Sequence, residues 1–167
     1  MRFGARASCY KKQAIFNCIP IDADALALFG PTEIEGHDAP RVLTPHAGEM
    51  KRLAASFGVG AGDKVAQARE LARAARASVI AKGPDTVIAA PDGRTVLAPS
   101  PTSWLSVAGT GDVLAGCVAS RLSTGAEPIA AASEAVWLHG EAARLAGPDF
   151  TASELAHKVA QAYVAAL

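Results

Sequence analysis

RVLTPHAGEMKRLAASFG (41–58) is a strand that runs straight into a helix. RVLTP is a short apolar run stopped by Pro45, and it reads as a buried strand. Beyond it, Met50, Leu53, Ala54 and Phe57 recur at helical spacing, and Gly58 stands where a C-terminal glycine belongs. The same grammar extends in both directions. Upstream, CIPID (18–22) is an apolar run ending in an acid. DADALALF (22–29) follows as a short helix, with Asp22 or Asp24 placed to cap it. Downstream, Gly62 to Arg76 forms a helix whose apolar face is Val65, Ala68, Leu71, Ala72 and Ala75. SVIAK (78–82) is a strand. TVIAAP (86–91) and RTVLA (94–98) flank Asp92-Gly93, a strong hairpin signal. Residues 99–106 read as a loop. Gly109 to Asp112 then opens a long helix through 125, and two more helices span Pro128 to Leu145 and Ser153 to Ala166. Strand–helix alternation argues an α/β layered fold with a mainly parallel sheet.

Composition narrows the class. The chain has 167 residues, a size expected of one domain. Half of it is apolar and 19% is charged, which excludes long-range disorder. Aromatics are only 5% while alanine abounds, so the core packs small side chains closely. Lys plus Arg is 16 and Asp plus Glu is 16, so no global basic face for nucleic acid is signalled. No apolar stretch has the ~18 to 20 residues of a spanning helix. The opening, MRFGARASCYKKQ, lacks the apolar region of a secretory signal. Cys9, Cys18 and Cys117 are odd in number and lack metal-ligand spacing. The expectation is reduced thiols in a cytoplasmic protein.

Four constellations carry chemistry. AGTGDVLAG (108–116) is a glycine-rich turn entering a helix. Free N–H groups and the positive end of the helix dipole make an anion hole of Gly109, Thr110 and Gly111. Asp112 beside it can take the proton of a hydroxyl that attacks a phosphoryl group. The plainer reading is a glycine-rich helix start with Asp112 as a cap. TPHAGE (44–49) lies at a strand's C-terminal end, where ligands of α/β sheets bind. His46 and Glu49 share a helical face there; the plainer reading is Thr44 capping, with Glu49 in the first turn. KGPDT (82–86) follows a strand with a cation, a glycine and a hydroxyl suited to a nucleotide, or it is an ordinary turn. IDAD (21–24) offers two carboxylates for a cation or a ligand hydroxyl, and helix capping is the slightly favoured alternative. Trp104 and Trp137 are expected in core or loop packing. His139 and Glu141 are expected at a cleft edge or in solvent. His37 and His157 carry no role.

Taken in order, DADAL, VLTPHAGEMKRL, VIAKGPDTVIAAPDGR, AGTGDVLAG and AVWLHGEAARLAG resemble the ADP/ATP-dependent NAD(P)H-hydrate dehydratase family. These are the ribokinase-like domains of the NAD(P)HX repair enzymes. The resemblance covers residues 18–167 and leaves 1–17 as an unassigned opening. It implies a three-layer ribokinase-like α/β fold. It implies a lyase that uses ADP or ATP to dehydrate hydrated NADH and NADPH. In that chemistry the ring hydroxyl is phosphorylated, and phosphate then leaves as the ring double bond forms. By motif match, His46 contacts the hydrated dinucleotide. Lys82, Gly83, Pro84, Asp85, Thr86 and Gly111 serve the adenine nucleotide. Asp112 meets the substrate hydroxyl as catalytic base. Mg2+ on the phosphates is expected from the chemistry, with no protein metal ligands assigned.

Two departures from the family pattern stand out. Where the family has a run like GNPGMATGGTGD, this chain has SPTSWLSVAGTGD, with Ala108 replacing a glycine. Nothing in the chain matches the family's earlier GPGLG-type segment. The resemblance therefore implies the C-terminal part of a domain, with N-terminal strands missing. Such a chain is expected to cover an exposed sheet surface by forming a homo-oligomer, or to be unstable alone. Two alternatives remain at this stage. One is another ribokinase-like small-molecule kinase of the thiamin-precursor type. The other is a non-catalytic nucleotide-binding remnant.

Overall fold

The computed structural model describes residues 19–34, 39–99 and 102–165. The opening 1–17, Cys9, Cys18 and His37 lie outside the described residues. In chain order the elements are β1 (Ile19–Ile21), α1 (Asp24–Leu28), β2 (Arg41–Leu43), α2 (Ala47–Ser56), α3 (Lys64–Ala75) and β3 (Ser78–Ala81). Then come β4 (Asp85–Ala89), β5 (Thr95–Pro99), α4 (Thr110–Ser123), α5 (Pro128–Ala146) and α6 (Ala152–Ala165). Single 3-10 turns sit at Pro31–Ile34 and Ser103–Ser106, the latter inside the expected loop.

The strands stand in the order β1-β2-β3-β4-β5. β1–β2 and β2–β3 are parallel; β3–β4 and β4–β5 are antiparallel. The α/β expectation holds, but the sheet is mixed rather than mainly parallel among the described strands. The reason is loop length. A parallel return needs a crossover of a dozen or more residues, and the link between Ala81 and Asp85 has no room for one. The Asp92-Gly93 hairpin does form, with Gly93 at φ 92° as its turn requires.

Alternation along the strands sends side chains to both faces. Leu43, Val79, Ala81, Val87 and Ala89 pack into one core with Leu26, Met50, Leu53 and Leu71 of α1 to α3. Val42, Ile80, Ile88 and Ala90 face the other way, onto Leu114, Val118, Leu122, Ala131 and Ala135 of α4 and α5. Helices therefore cover both faces, giving three layers. A third cluster joins Leu138 and Ala142 to Leu155 and Ala162 of α6. Small side chains carry much of this packing. Ala68, Ala72 and Ala75 on α3, and Ala131, Ala132 and Ala135 on α5, are fully buried. Close approach of helix to sheet is what the alanine excess provides.

α2 ends as its sequence implies. Gly58 takes φ 65°, and the Val59 N–H reaches back to the Ala54 carbonyl at 2.8 Å. Among the described residues, no helix is long and apolar enough to cross a membrane. Leu71→Ala, at a side chain sealed between α3 and the sheet, is expected to destabilise the fold by about 2–5 kcal/mol. Urea denaturation measures it; a loss below 1 kcal/mol would contradict the packing described.

Candidate nucleotide site at the carboxyl ends of the strands

Three parallel strands end side by side, and each delivers one polar group. β1 ends at Asp22, β2 at Thr44 and β3 at Lys82. The loops are stitched by backbone bonds from Thr44 N–H to Ile21 O at 3.1 Å and from Lys82 N–H to Pro45 O at 2.8 Å. The Thr44 hydroxyl donates to Asp22 Oδ1 at 2.6 Å. Lys82 Nζ donates to the same oxygen at 3.0 Å. Neither Asp22 nor Asp24 caps α1, whose N-cap is Ala23 with no side-chain hydrogen bond. The slightly favoured capping reading of IDAD is thus replaced by an ion pair.

The start of α4 faces this cluster. A Cβ placed on Gly111 would lie 3.4 Å from Lys82 Nζ and 3.7 Å from Asp22 Oδ2. The ion pair therefore rests against the first turn of the helix, and glycine is what lets it come so close. Gly109, the N-cap, adopts φ 86°, and a Cβ there would meet Ala152 Cβ at 3.0 Å. No side chain caps α4. The Thr110 N–H donates to the Val107 carbonyl at 3.4 Å, which leaves the N–H groups of Gly111 and Asp112 to meet an anion. Asp112 stands exposed in the first turn and does not act as a cap.

Thr110 anchors the turn. Its hydroxyl lies 2.8 Å from both the Leu105 and Val107 carbonyls. Its own carbonyl lies 2.8 Å from Nε2 of His139 on α5. A carbonyl only accepts, so the imidazole carries its proton on Nε2 and donates. His139 is buried rather than in solvent, and with Glu141 it lines the cavity described below, as the cleft-edge expectation had it. Burial pushes its pKa from 6.5 down to about 4; the Thr110 carbonyl opposes that shift, and the Lys82 charge adds to it.

TPHAGE folds differently from the simple cap expected. His46, not Thr44, is the N-cap of α2. Its Nδ1 accepts from Gly48 N–H at 3.0 Å and Glu49 N–H at 3.3 Å. The Glu49 carboxylate returns the favour, accepting from His46 N–H at 2.8 Å and lying 3.2 Å from Nε2. This is a capping box with histidine in the serine role. Thr44 is unavailable because Asp22 holds its hydroxyl.

A cavity of about 720 Å³ opens beside α4. Of the residues expected at a nucleotide, Lys82, Gly83, Pro84, Thr86, Thr110 and Gly111 line it. Asp85, Gly109, Asp112 and His46 do not. The Asp85 carboxylate is instead bound at 2.9 Å by Lys64, which also donates to the Asp85 carbonyl at 2.6 Å. That lysine holds the Asp85 carboxyl below the usual carboxylate range. A Cβ on Gly83, at φ 155°, would meet Lys64 Nζ at 2.7 Å. Trp137 is not a packing residue as expected; it is about half exposed, on the cavity wall.

The family description NAD(P)H-hydrate dehydratase matches residues 9–164. The chain belongs to that family. It is 46% identical over 108 residues to the bifunctional NAD(P)H-hydrate repair enzyme Nnr of Mycobacterium tuberculosis, a stretch covering 63% of this chain and 22% of that protein. It is 35% identical over 131 residues to the ADP-dependent (S)-NAD(P)H-hydrate dehydratase of Neisseria meningitidis, covering 75% and 44%. The structure of the ADP/ATP-dependent NAD(P)H-hydrate dehydratase of Bacillus subtilis, co-crystallised with ATP and Mg2+, matches with TM-score 0.76 at 30% identity. That likeness covers 89% of this chain and 55% of the Bacillus chain, and it bears out the ribokinase-like fold. The dehydratase-family chain thus spans under half the length of these curated relatives.

His139 makes the site's stability pH-dependent in a known direction. The unfolded histidine takes a proton near pH 6.5 and the folded one only near 4, so stability falls as pH drops through that window. Between pH 7 and pH 5 the wild type should lose roughly 1–2 kcal/mol more than His139→Gln, measured by urea denaturation. Equal losses in the two proteins would contradict the buried neutral imidazole.

Proposed function

We propose that this chain binds ADP or ATP in the cavity and uses it to dehydrate hydrated NADH and NADPH. One observation carries the reading: the Asp22–Lys82 pair lies against Gly111, at the uncapped start of α4, on the edge of a cavity lined by KGPDT residues. A lysine at the positive end of a helix is repelled unless an anion joins it. Asp22 supplies one anion, and a nucleotide phosphate supplies a stronger one. The relatives' names support the assignment.

Asp112 takes the proton of the ring hydroxyl. The hydroxyl oxygen attacks the terminal phosphoryl group of the nucleotide. The bond to the departing nucleotide breaks, leaving AMP from ADP or ADP from ATP. Lys82 and the α4 N–H groups hold the phosphoryl charge through transfer. The ring phosphate then leaves with the C–O electron pair, and loss of a proton from the neighbouring carbon forms the double bond. Asp112 stands exposed, clear of the Lys82–Asp22 pair's hydrogen bonds, as a base facing a second substrate must. His46, the N-cap of α2, is assigned to the dinucleotide by the motif match.

No group of three His, Cys, Asp or Glu side chains among the described residues could hold a metal ion. In this reading Mg2+ is carried on the nucleotide phosphates, with at most one or two carboxylates joining it. Bound there, it neutralises charge that opposes phosphoryl transfer. The other ribokinase-like kinases share a GTGD helix start; TPHAGE and KGPDT set this chain apart from them.

Asp112→Ala is expected to lower NADHX turnover by about 10²–10⁴-fold, followed by the return of NADH absorbance, while calorimetry shows ADP affinity nearly unchanged. Loss of ADP binding in that variant would overturn the division of roles. Retained turnover would overturn the mechanism.

A further inference from the structure

The cavity has two unlike ends. One is the phosphate end, with Lys82, Gly83, Thr110 and Gly111. From it, β4 runs away through Thr86 to Ile88, and its partner β5 sets Val96 opposite Ile88 and Leu97 opposite Val87. On the facing wall, Ser133, Val136, Trp137, Gly140 and Glu141 line the cavity. Their spacing of three and four makes them one stripe along α5. His139 pins the C-terminal part of that stripe to the Thr110 carbonyl. Ser133, six residues earlier, lies roughly 9 Å further along the axis. There it borders a second hollow together with Val96. The stripe therefore leads from the phosphate end to the apolar rim.

That rim is conspicuously uncovered. Trp137 is 49% exposed and Val96 38%. Large apolar side chains left open along a cleft mark a surface that a ligand completes. The Cα–Cβ bonds of a helix tilt toward its N-terminus, which at Trp137 is away from the charged end. Gly140, one turn on, adds no side chain beside it. A ligand spanning the cavity must be anionic at one end and flat and apolar at the other. A nucleoside di- or triphosphate has that shape and polarity.

We propose that Trp137 is the base platform of this site: its indole packs against the purine ring of the nucleotide whose phosphates meet Lys82 and Gly111, with Val96 on the other side. This rests on the nucleotide-binding reading above and adds to it the residue that grips the base. Stacking is tolerant of base identity because every base has a π-face, so Trp137 supplies affinity for a nucleoside over bare phosphate.

The chain has two tryptophans, and Trp104 does not line the cavity. In full-length Trp104→Phe protein, emission therefore reports on Trp137 alone. ADP with Mg2+ is expected to change that emission saturably, while inorganic pyrophosphate leaves it nearly unmoved. By calorimetry, Trp137→Leu is expected to weaken ADP roughly tenfold or more and leave pyrophosphate affinity within twofold. Trp137→Phe, which keeps a flat ring, is expected to retain most of the ADP affinity. The unchanged pyrophosphate binding shows that the leucine variant still folds. If ADP binds the wild type but Trp137→Leu binds it equally well, the platform is wrong and the nucleotide reading stands. If folded wild type binds no ADP, both fall.

Discussion

The structure turns on one ion pair, Asp22 with Lys82, held against the start of α4. The two residues lie sixty apart in sequence, at the ends of β1 and β3, with Thr44 of the strand between them bonded to the same carboxylate oxygen. The pair is partly shielded, at 13% and 22% side-chain exposure. Shielding strengthens the attraction and makes loss of either partner costly, because the survivor keeps a half-buried charge. It also fixes where the cation stands. Lys82 Nζ stands beside Gly111, where the positive end of the helix favours a second anion. The fold brings strand ends to a helix start, and in the proposed function the ion pair makes that junction an electrostatic trap for phosphate.

Everything near the trap serves to hold its geometry. Thr110 ties the turn to Leu105 and Val107, and His139 ties it to α5. Gly109 accepts a left-handed conformation and a tight approach to α6 that would strain a side chain. Behind α4 and α5, alanines let the helices sit close to the sheet, so the helix start reaches the strand ends. Function here depends on packing through position. Catalysis of phosphoryl transfer is mostly placement and charge neutralisation, and rigid elements give both.

Much of this was legible in the sequence, and the misses share a cause. The strand–helix junction at 41–58, the Asp92-Gly93 hairpin and the GTGD helix start were readable because each is decided by neighbours in the chain. KGPDT as a cavity wall was readable for the same reason, with Asp85 the exception. Asp85 is drawn off by Lys64, twenty-one residues away, which no local pattern announces. Asp22 read as a cap because its true partners lie on two other strands. His139 read as lying at a cleft edge or in solvent; it does line the cavity, and the approach of α5 to Thr110 buries it there. Trp137 read as packing, since single aromatics are core by default; the stripe Ser133, Val136, Trp137, Gly140 and Glu141 becomes a wall only when β5 stands opposite. The sheet read as mainly parallel because strand–helix alternation was extended past β3, where the helices stop and a short turn reverses the chain.

The most direct measurement is a crystal structure of the whole chain with ADP and Mg2+. The account predicts the terminal phosphate within hydrogen-bonding distance of Lys82 Nζ and the Gly111 N–H, with Asp22 still holding the lysine. A well-ordered nucleotide bound away from the start of α4, leaving the Asp22–Lys82 pair untouched, would contradict it.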